Sequence, residues 1–312
     1  MRPFLARLTC FLALLAALQG FVGPWFFPPI ARQLDDLAAS RPSILFLGDS
    51  SVFTADATDL DRRSTAQMLQ DRRGVAMGVL QGGAQSADLW VHEVRELQRR
   101  GARFETVVAV VNLRSFSPSW DLEPRYQFTA ERRFLSWPPS LRPFLRPLVV
   151  FDALDLQPLP AGSLNDAPVY DGTTLVGRGR DFPGHADTAA ERERRMLLFF
   201  YMASLRTDHR KLRSLASLAD SLRQARTRLL LYVSPIDVEK GASAFGPRFR
   251  SRIEENVGTL ERELAARGAE VLDLCCFLPD SAFSYSQYPN EHLKAAGRMA
   301  VANELAARLE RP

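Results

Sequence analysis

The stretch Ile44-Leu45-Phe46-Leu47-Gly48-Asp49-Ser50-Ser51 decides how this chain is read. An unbroken apolar run from Ser43 to Leu47, closed by a glycine, reads as a strand buried on both faces, as in a parallel sheet. Similar runs recur at 75–80, 106–113 (TVVAVVNL), 228–233 (RLLLYV) and 270–274. Helical patterns lie between them. Trp90, Val94 and Leu97 recur at helical spacing within 86–100, with Gly101 placed to end that helix. Residues 247–267 form a second pattern, closed by Gly268, and 293–309 a third. Strands alternating with helices imply βαβ units and a doubly wound α/β sheet.

Residues 116–190 break this rhythm with proline, arginine and glycine (SWPPSLRPFLRP, DGTTLVGRGRDFPGH) and are read as an insertion. The expected organisation is therefore a membrane anchor or signal segment over 1–28, a linker or short helix over 29–42, and one domain over 43–312. A chain of 312 residues has room for these parts.

Composition excludes more than it identifies. With 46% hydrophobic and 24% charged residues the chain is neither disordered nor fibrous. Its net charge of +4 is carried almost wholly by arginine, lysine occurring only at 211, 240 and 294. No nucleic-acid-binding motif accompanies that charge, so no nucleic-acid partner is expected. The cysteines are Cys10, Cys275 and Cys276; adjacent cysteines rarely bridge each other, and no metal-ligand spacing is present.

The N-terminus carries the compartment signal. Arg2 and Arg7 precede an apolar run from Leu8 to about Phe27. Its length of ~20 residues fits one bilayer crossing, and the basic residues before it keep the short N-terminus cytoplasmic and send the rest outward. Trp25, Phe26 and Phe27 read as an interfacial aromatic belt. The competing reading is a cleaved signal peptide, although no clean A-x-A site follows the apolar stretch.

Ser50 stands at the carboxyl end of the first strand, where α/β proteins place reactive groups. Gly48 permits a tight turn there. The plainer alternative is a turn in which Asp49 or Ser50 caps the next helix.

Four blocks in order raise the chemical reading above that alternative. Gly48-Asp49-Ser50 follows strand one; Gly83, in Gln81-Gly82-Gly83-Ala84, follows strand two; Asn112, in Val111-Asn112-Leu113-Arg114, ends strand three; His292, in Asn290-Glu291-His292-Leu293, precedes the last helix. This set resembles the SGNH (GDSL) hydrolase superfamily over about 43–115 and 228–310. The resemblance implies a three-layer α/β/α, flavodoxin-like parallel sheet. It also implies Ser50 as nucleophile, His292 as base, and oxyanion donors from the Ser50 amide, Gly83 and Asn112.

In one respect the chain departs from that family. The acid that orients the histidine usually stands three residues before it, and here that position is Pro289. Asn290 is the candidate carried forward; adjacent Glu291, whose side chain should diverge, or a backbone carbonyl are the alternatives. His92, His185 and His209 read as surface or packing residues.

The anchor, the Val111–Phe116 block and Ser234-Pro235-Ile236-Asp237 are similar to exported SGNH-like proteins of envelope-polymer modification, such as the D-alanyl transfer and alginate O-acetylation proteins. That similarity implies a periplasmic domain tethered to the inner membrane, an acyl-ester or polysaccharide substrate, and a multi-spanning membrane O-acyltransferase as partner. No cofactor is expected. The competing expectations are a catalytically weak polymer- or partner-binding subunit, and a generic lipase or thioesterase.

Overall fold

The computed structural model describes residues 2–117, 120, 127–145, 169–170, 175–176, 188–284 and 291–311. Five parallel strands make the central sheet: β1 (Ile44–Gly48), β2 (Met77–Gln81), β3 (Thr106–Val111), β4 (Arg228–Val233) and β5 (Glu270–Asp273). Their order is β2-β1-β3-β4-β5, with every neighbouring pair parallel. This is the flavodoxin-like order, whose switch point lies between β1 and β3. Chain direction reverses its winding there, so the carboxyl ends of these two strands open a crevice.

Helices sheathe both faces. In chain order they are α1 (Arg2–Val22), α2 (Pro29–Ser40), α3 (Ser50–Phe53), α4 (Thr65–Arg73), α5 (Ala87–Arg99), α6 (Thr129–Ser136), α7 (Ala189–Tyr201), α8 (Arg210–Gln224), α9 (Val238–Phe245), α10 (Pro247–Ala265) and α11 (Ala295–Leu309). α4 pairs with α11, while α5 pairs with α8 and α8 with α10. The expected three-layer α/β/α architecture is the one present. Every residue of β1 and β3 is buried, which is why both read as continuous apolar runs. Edge strand β2 alternates instead, starting at Met77 where the sequence suggested residue 75.

Residues 29–42, expected as a linker or short helix, belong to the packed domain. α2 begins at Pro29, a residue suited to a first helical turn, and buries Ile30, Ala31 and Leu34. Gln33 Nε2 donates to the Val79 carbonyl at 3.3 Å. A Cβ at Gly78 would meet Pro42 Cγ at 2.7 Å and Leu37 Cδ2 at 2.9 Å, so the glycine lets this cover approach β2. The mostly polar composition hid a four-residue apolar spacing.

α1 makes up most of Pro3–Trp25, a segment long and apolar enough to cross a membrane, features that a signal sequence shares. Phe4, Phe11, Leu14 and Phe21 on it are exposed. The insertion carries α6, a short 3-10 helix (Pro139–Leu145) and a two-residue antiparallel pair, Val169–Tyr170 with Leu175–Val176.

Outside the site, Gly241 tests the packing of α9 on α10. A Cβ there would run into the Phe249 ring, and Phe249 is fully buried. Gly241→Ala is expected to cost about 1–3 kcal/mol by overpacking, measured by urea denaturation, despite alanine's better helix propensity.

Candidate active site

Each block reaches the carboxyl edge of the sheet by a local cause. Asp49 caps α3: its Oδ1 accepts from the Ser51 amide at 2.9 Å and from Ser51 Oγ at 2.5 Å. That cap turns the chain sharply and leaves Ser50, half-buried, at the first helical position. Gly82 N donates to the Gly48 carbonyl at 3.3 Å, which ties the turn bearing Gly83 to the turn bearing Ser50. Gly83 is exposed, with nothing within 4 Å of where a Cβ would stand. The helix after it begins only at Ala87.

His292 comes from the far end of the chain. Phe283 and Leu293 form an isolated antiparallel bridge, and the Ser284 amide donates to the His292 carbonyl at 2.8 Å. Fully buried Arg298 on α11 adds a bond from Nη1 to the Leu293 carbonyl at 2.6 Å and reaches Asp59 at 3.0 Å. Held this way, His292 Nε2 stands 3.2 Å from Ser50 Oγ, across 242 residues of sequence. Burial lowers the His292 pKa below its ordinary 6.5; Glu291 pulls it up, Arg114 adds to the lowering, and Asp49 opposes it. The imidazole is therefore neutral at neutral pH, the form that can accept a proton.

Asn112 differs from its expected role as a free oxyanion donor. It is buried, its Nδ2 donates to Asp49 Oδ2 at 3.1 Å, and its side-chain Oδ1 accepts from the Arg114 amide at 3.0 Å. Its amide also helps hold the charge of Glu291. Asn112 thus links the ends of β1 and β3 to the histidine segment. Asp49 feels burial first and Glu291 second, and both raise its pKa.

Glu291, from the sequence only an alternative to Asn290, is the centre of a buried cluster. It is fully buried. Arg114 Nη2 pairs directly with its Oε1, and the Tyr201 hydroxyl donates to its Oε2 at 2.5 Å. Burial works to raise the Glu291 pKa, yet Arg114, His292, Tyr201 and Asn112 together hold it below 4.5. The Arg114 guanidinium is itself buried, 4.2 Å from the Trp120 ring centroid and 5.3 Å from that of Phe200. Lys211 Nζ donates to the Ser115 carbonyl at 2.8 Å beside this cluster.

Asn290 and His185 lie outside the described residues. His209 caps α8 by accepting from the Lys211 amide at 3.2 Å and packs edge-on against Phe116. His92 Nδ1 lies 3.3 Å from Ser136 Oγ. The described residues include no cluster of side chains fit to hold a metal ion.

No protein-family model and no curated protein sequence matches the chain. Several solved structures align with it. Axe2, an acetylxylan esterase from Geobacillus stearothermophilus, is 11% identical, with 87% of this chain and 95% of that one covered and a TM-score of 0.40. LAE5, an alpha/beta hydrolase enzyme from the metagenome of Lake Arreo, is 9% identical over 85% and 94%, with a TM-score of 0.42. Est2A, an acetyl xylan esterase from Butyrivibrio proteoclasticus, is 11% identical over 85% and 62%, at 0.34.

Proposed function

We propose that this chain is a membrane-anchored, exported serine esterase or O-acyltransferase of SGNH type that acts on acyl esters of cell-envelope polysaccharide. The observation that carries the reading is the 3.2 Å contact between Ser50 Oγ and His292 Nε2 at the switch point of the sheet. A hydroxyl within hydrogen-bond reach of a neutral, half-buried imidazole is the minimal unit of serine acyl transfer.

In this reading Ser50 Oγ attacks the acyl carbonyl while His292 Nε2 takes its proton. The same nitrogen then returns that proton to the leaving alkoxide, giving an acyl-serine. Water or a sugar hydroxyl, deprotonated by His292, attacks the acyl carbon and releases Ser50. Backbone amides of Ser50 and Gly83 are the oxyanion donors assigned first, since Asn112 is engaged with Asp49. Glu291 is the residue assigned to orient and charge-stabilise the imidazolium, by electrostatics from the adjacent position rather than by a family-type Asp-x-x-His contact. No metal or cofactor is part of these steps. Arg2 and Arg7, before the apolar run, support an exported domain, and a multi-spanning membrane O-acyltransferase is the proposed source of acyl groups.

The test is incubation of the full-length protein with 4-nitrophenyl acetate and a polysaccharide-derived oligosaccharide. Nitrophenol release without oligosaccharide acylation marks an esterase; an added acetyl on the oligosaccharide by mass spectrometry marks a transferase. Release no faster than that of a denatured control would contradict both.

The pH profile has a fixed sign. His292 must be neutral to act as base, and its pKa lies below 6.5. kcat/KM is therefore expected to be flat through neutrality and to fall only on the acid side, with the limb below that ordinary value. A limb centred above 6.5 would contradict the assignment of His292.

A further inference from the structure

The segment over residues 137–145 stands beside the outer end of α1, and its contacts there are unusual for a soluble surface. Gln19 is a polar residue within the apolar helix, buried to 4% exposure, and its side-chain amide donates to the Pro143 carbonyl. A Cβ at Gly23 would collide with that same carbonyl, so a glycine is what allows the approach. Counting about 1.5 Å per residue to the end of α1 at Val22 and about 2 Å per residue through the 3-10 turn Gly23–Phe26, Gln19 lies about 10 Å inward of Trp25. Residues 137–145 therefore reach past the end of the apolar segment, to a depth where an unpartnered amide would be costly.

What this segment turns outward is apolar. Residues 136–141 form an unbroken exposed run, Ser136-Trp137-Pro138-Pro139-Ser140-Leu141. Trp137 is 39% exposed and Leu141 46%, while Trp25, on the 3-10 turn just beyond α1, is 78% exposed. The run is fixed to the domain rather than loose. Arg142, immediately after it, makes a two-pronged ion pair with Glu96 of α5 at 2.6 and 2.8 Å, and both side chains are buried. Phe27 meets Phe134 of α6 edge-on at 4.9 Å on the same side.

We propose that residues 137–141 are a second, interfacial contact with the phospholipid bilayer, which with α1 holds the domain in one orientation on the membrane. This rests on the reading of α1 as an uncleaved span. The partner is the lipid surface itself: the 3-10 helix that carries the run packs beside the apolar helix, tryptophan favours the headgroup boundary, and the Pro143 carbonyl that faces α1 is already satisfied by Gln19. A single span leaves a domain free to swing; two contacts on a domain braced by Arg142–Glu96 do not.

The test uses full-length protein carrying Trp25→Phe in phosphatidylcholine vesicles with acyl chains brominated near the headgroup. The Trp137 signal is the difference between this variant and one that also carries Trp137→Phe. In parallel, Cys10, exposed on α1, reports the span through its reactivity to a membrane-impermeant maleimide. We expect Cys10 to be shielded and Trp137 emission to fall by more than about half, as for a side chain at the headgroup boundary. A shielded Cys10 with unquenched Trp137 would overturn the second contact and leave the span standing. A freely labelled Cys10 would remove the span and the second contact together.

Discussion

Ser50→Ala is expected to lower kcat/KM toward 4-nitrophenyl acetate by about 10⁴-fold or more, to near the rate of the uncatalysed reaction with a folded bystander present. The loss should appear almost wholly in kcat, because the hydroxyl makes its essential bond only on the way to the acyl-serine. His292→Ala should fall to the same level, and the double variant no further, since nucleophile and base act as one unit. Neither change should alter stability by more than about 1 kcal/mol: Ser50 is half-buried, and His292 is held mainly by its backbone. A Ser50→Ala protein that keeps even a tenth of the activity would exclude the Ser50–His292 pair as the catalytic unit.

The second large effect concerns the buried pair beneath that unit. Arg114→Met leaves the Glu291 carboxylate in a fully buried site without its cation and is expected to cost about 3–5 kcal/mol of stability. Glu291→Met should cost similarly, because it strands the guanidinium. The double variant Arg114→Met/Glu291→Met is expected to be more stable than either single one, since it removes both charges from a dry site. Additive losses in that cycle, read by urea denaturation, would mean that the two residues do not act as a pair.

The sign of the pH effect follows from the same contact. Glu291 is held below its ordinary 4.5, so its contribution to stability is full above that value and is lost as pH falls through its folded pKa. Glu291→Gln should therefore flatten the acid side of the stability curve.

Catalysis gives Glu291 a readout that a purely structural residue would not move. Its negative charge raises the His292 pKa, and Arg114 lowers it. In Glu291→Gln the acid limb of kcat/KM should shift to lower pH while kcat falls by about 10²-fold. An unshifted limb with a depressed plateau would reduce Glu291 to scaffolding.

Much of the fold was legible because parallel strands buried on both faces leave an unmistakable trace. β1, β3 and β4 are such runs, and each ends within two residues of a candidate functional position or a turn. Ser50 and His292 were legible for a related reason: each sits in a short block at an element boundary. Asn112 was found by position but not by partner, because nothing in a linear sequence reveals that Asp49 would claim its amide.

Glu291 was ranked behind Asn290 by an argument that is correct in itself. Adjacent side chains on extended chain do diverge, and here they do: His292 turns to Ser50, and Glu291 turns inward to Arg114 and Tyr201. Both still belong to one site, because the segment crosses the carboxyl edge of the sheet between its surface and its core. Tyr201 is 90 residues away from Glu291 in sequence and sits at the end of α7, so no local pattern pairs them. The α2 cover was missed for a simpler cause, a narrow apolar stripe within a polar stretch.

The most direct measurement is labelling of the full-length protein in detergent with a fluorophosphonate probe, followed by peptide mass mapping, with Ser50→Ala and His292→Ala alongside. An activated serine should react stoichiometrically at Ser50, and labelling should vanish in both variants. Wild-type protein that is folded yet unlabelled, or that is labelled at a residue other than Ser50, would contradict the account.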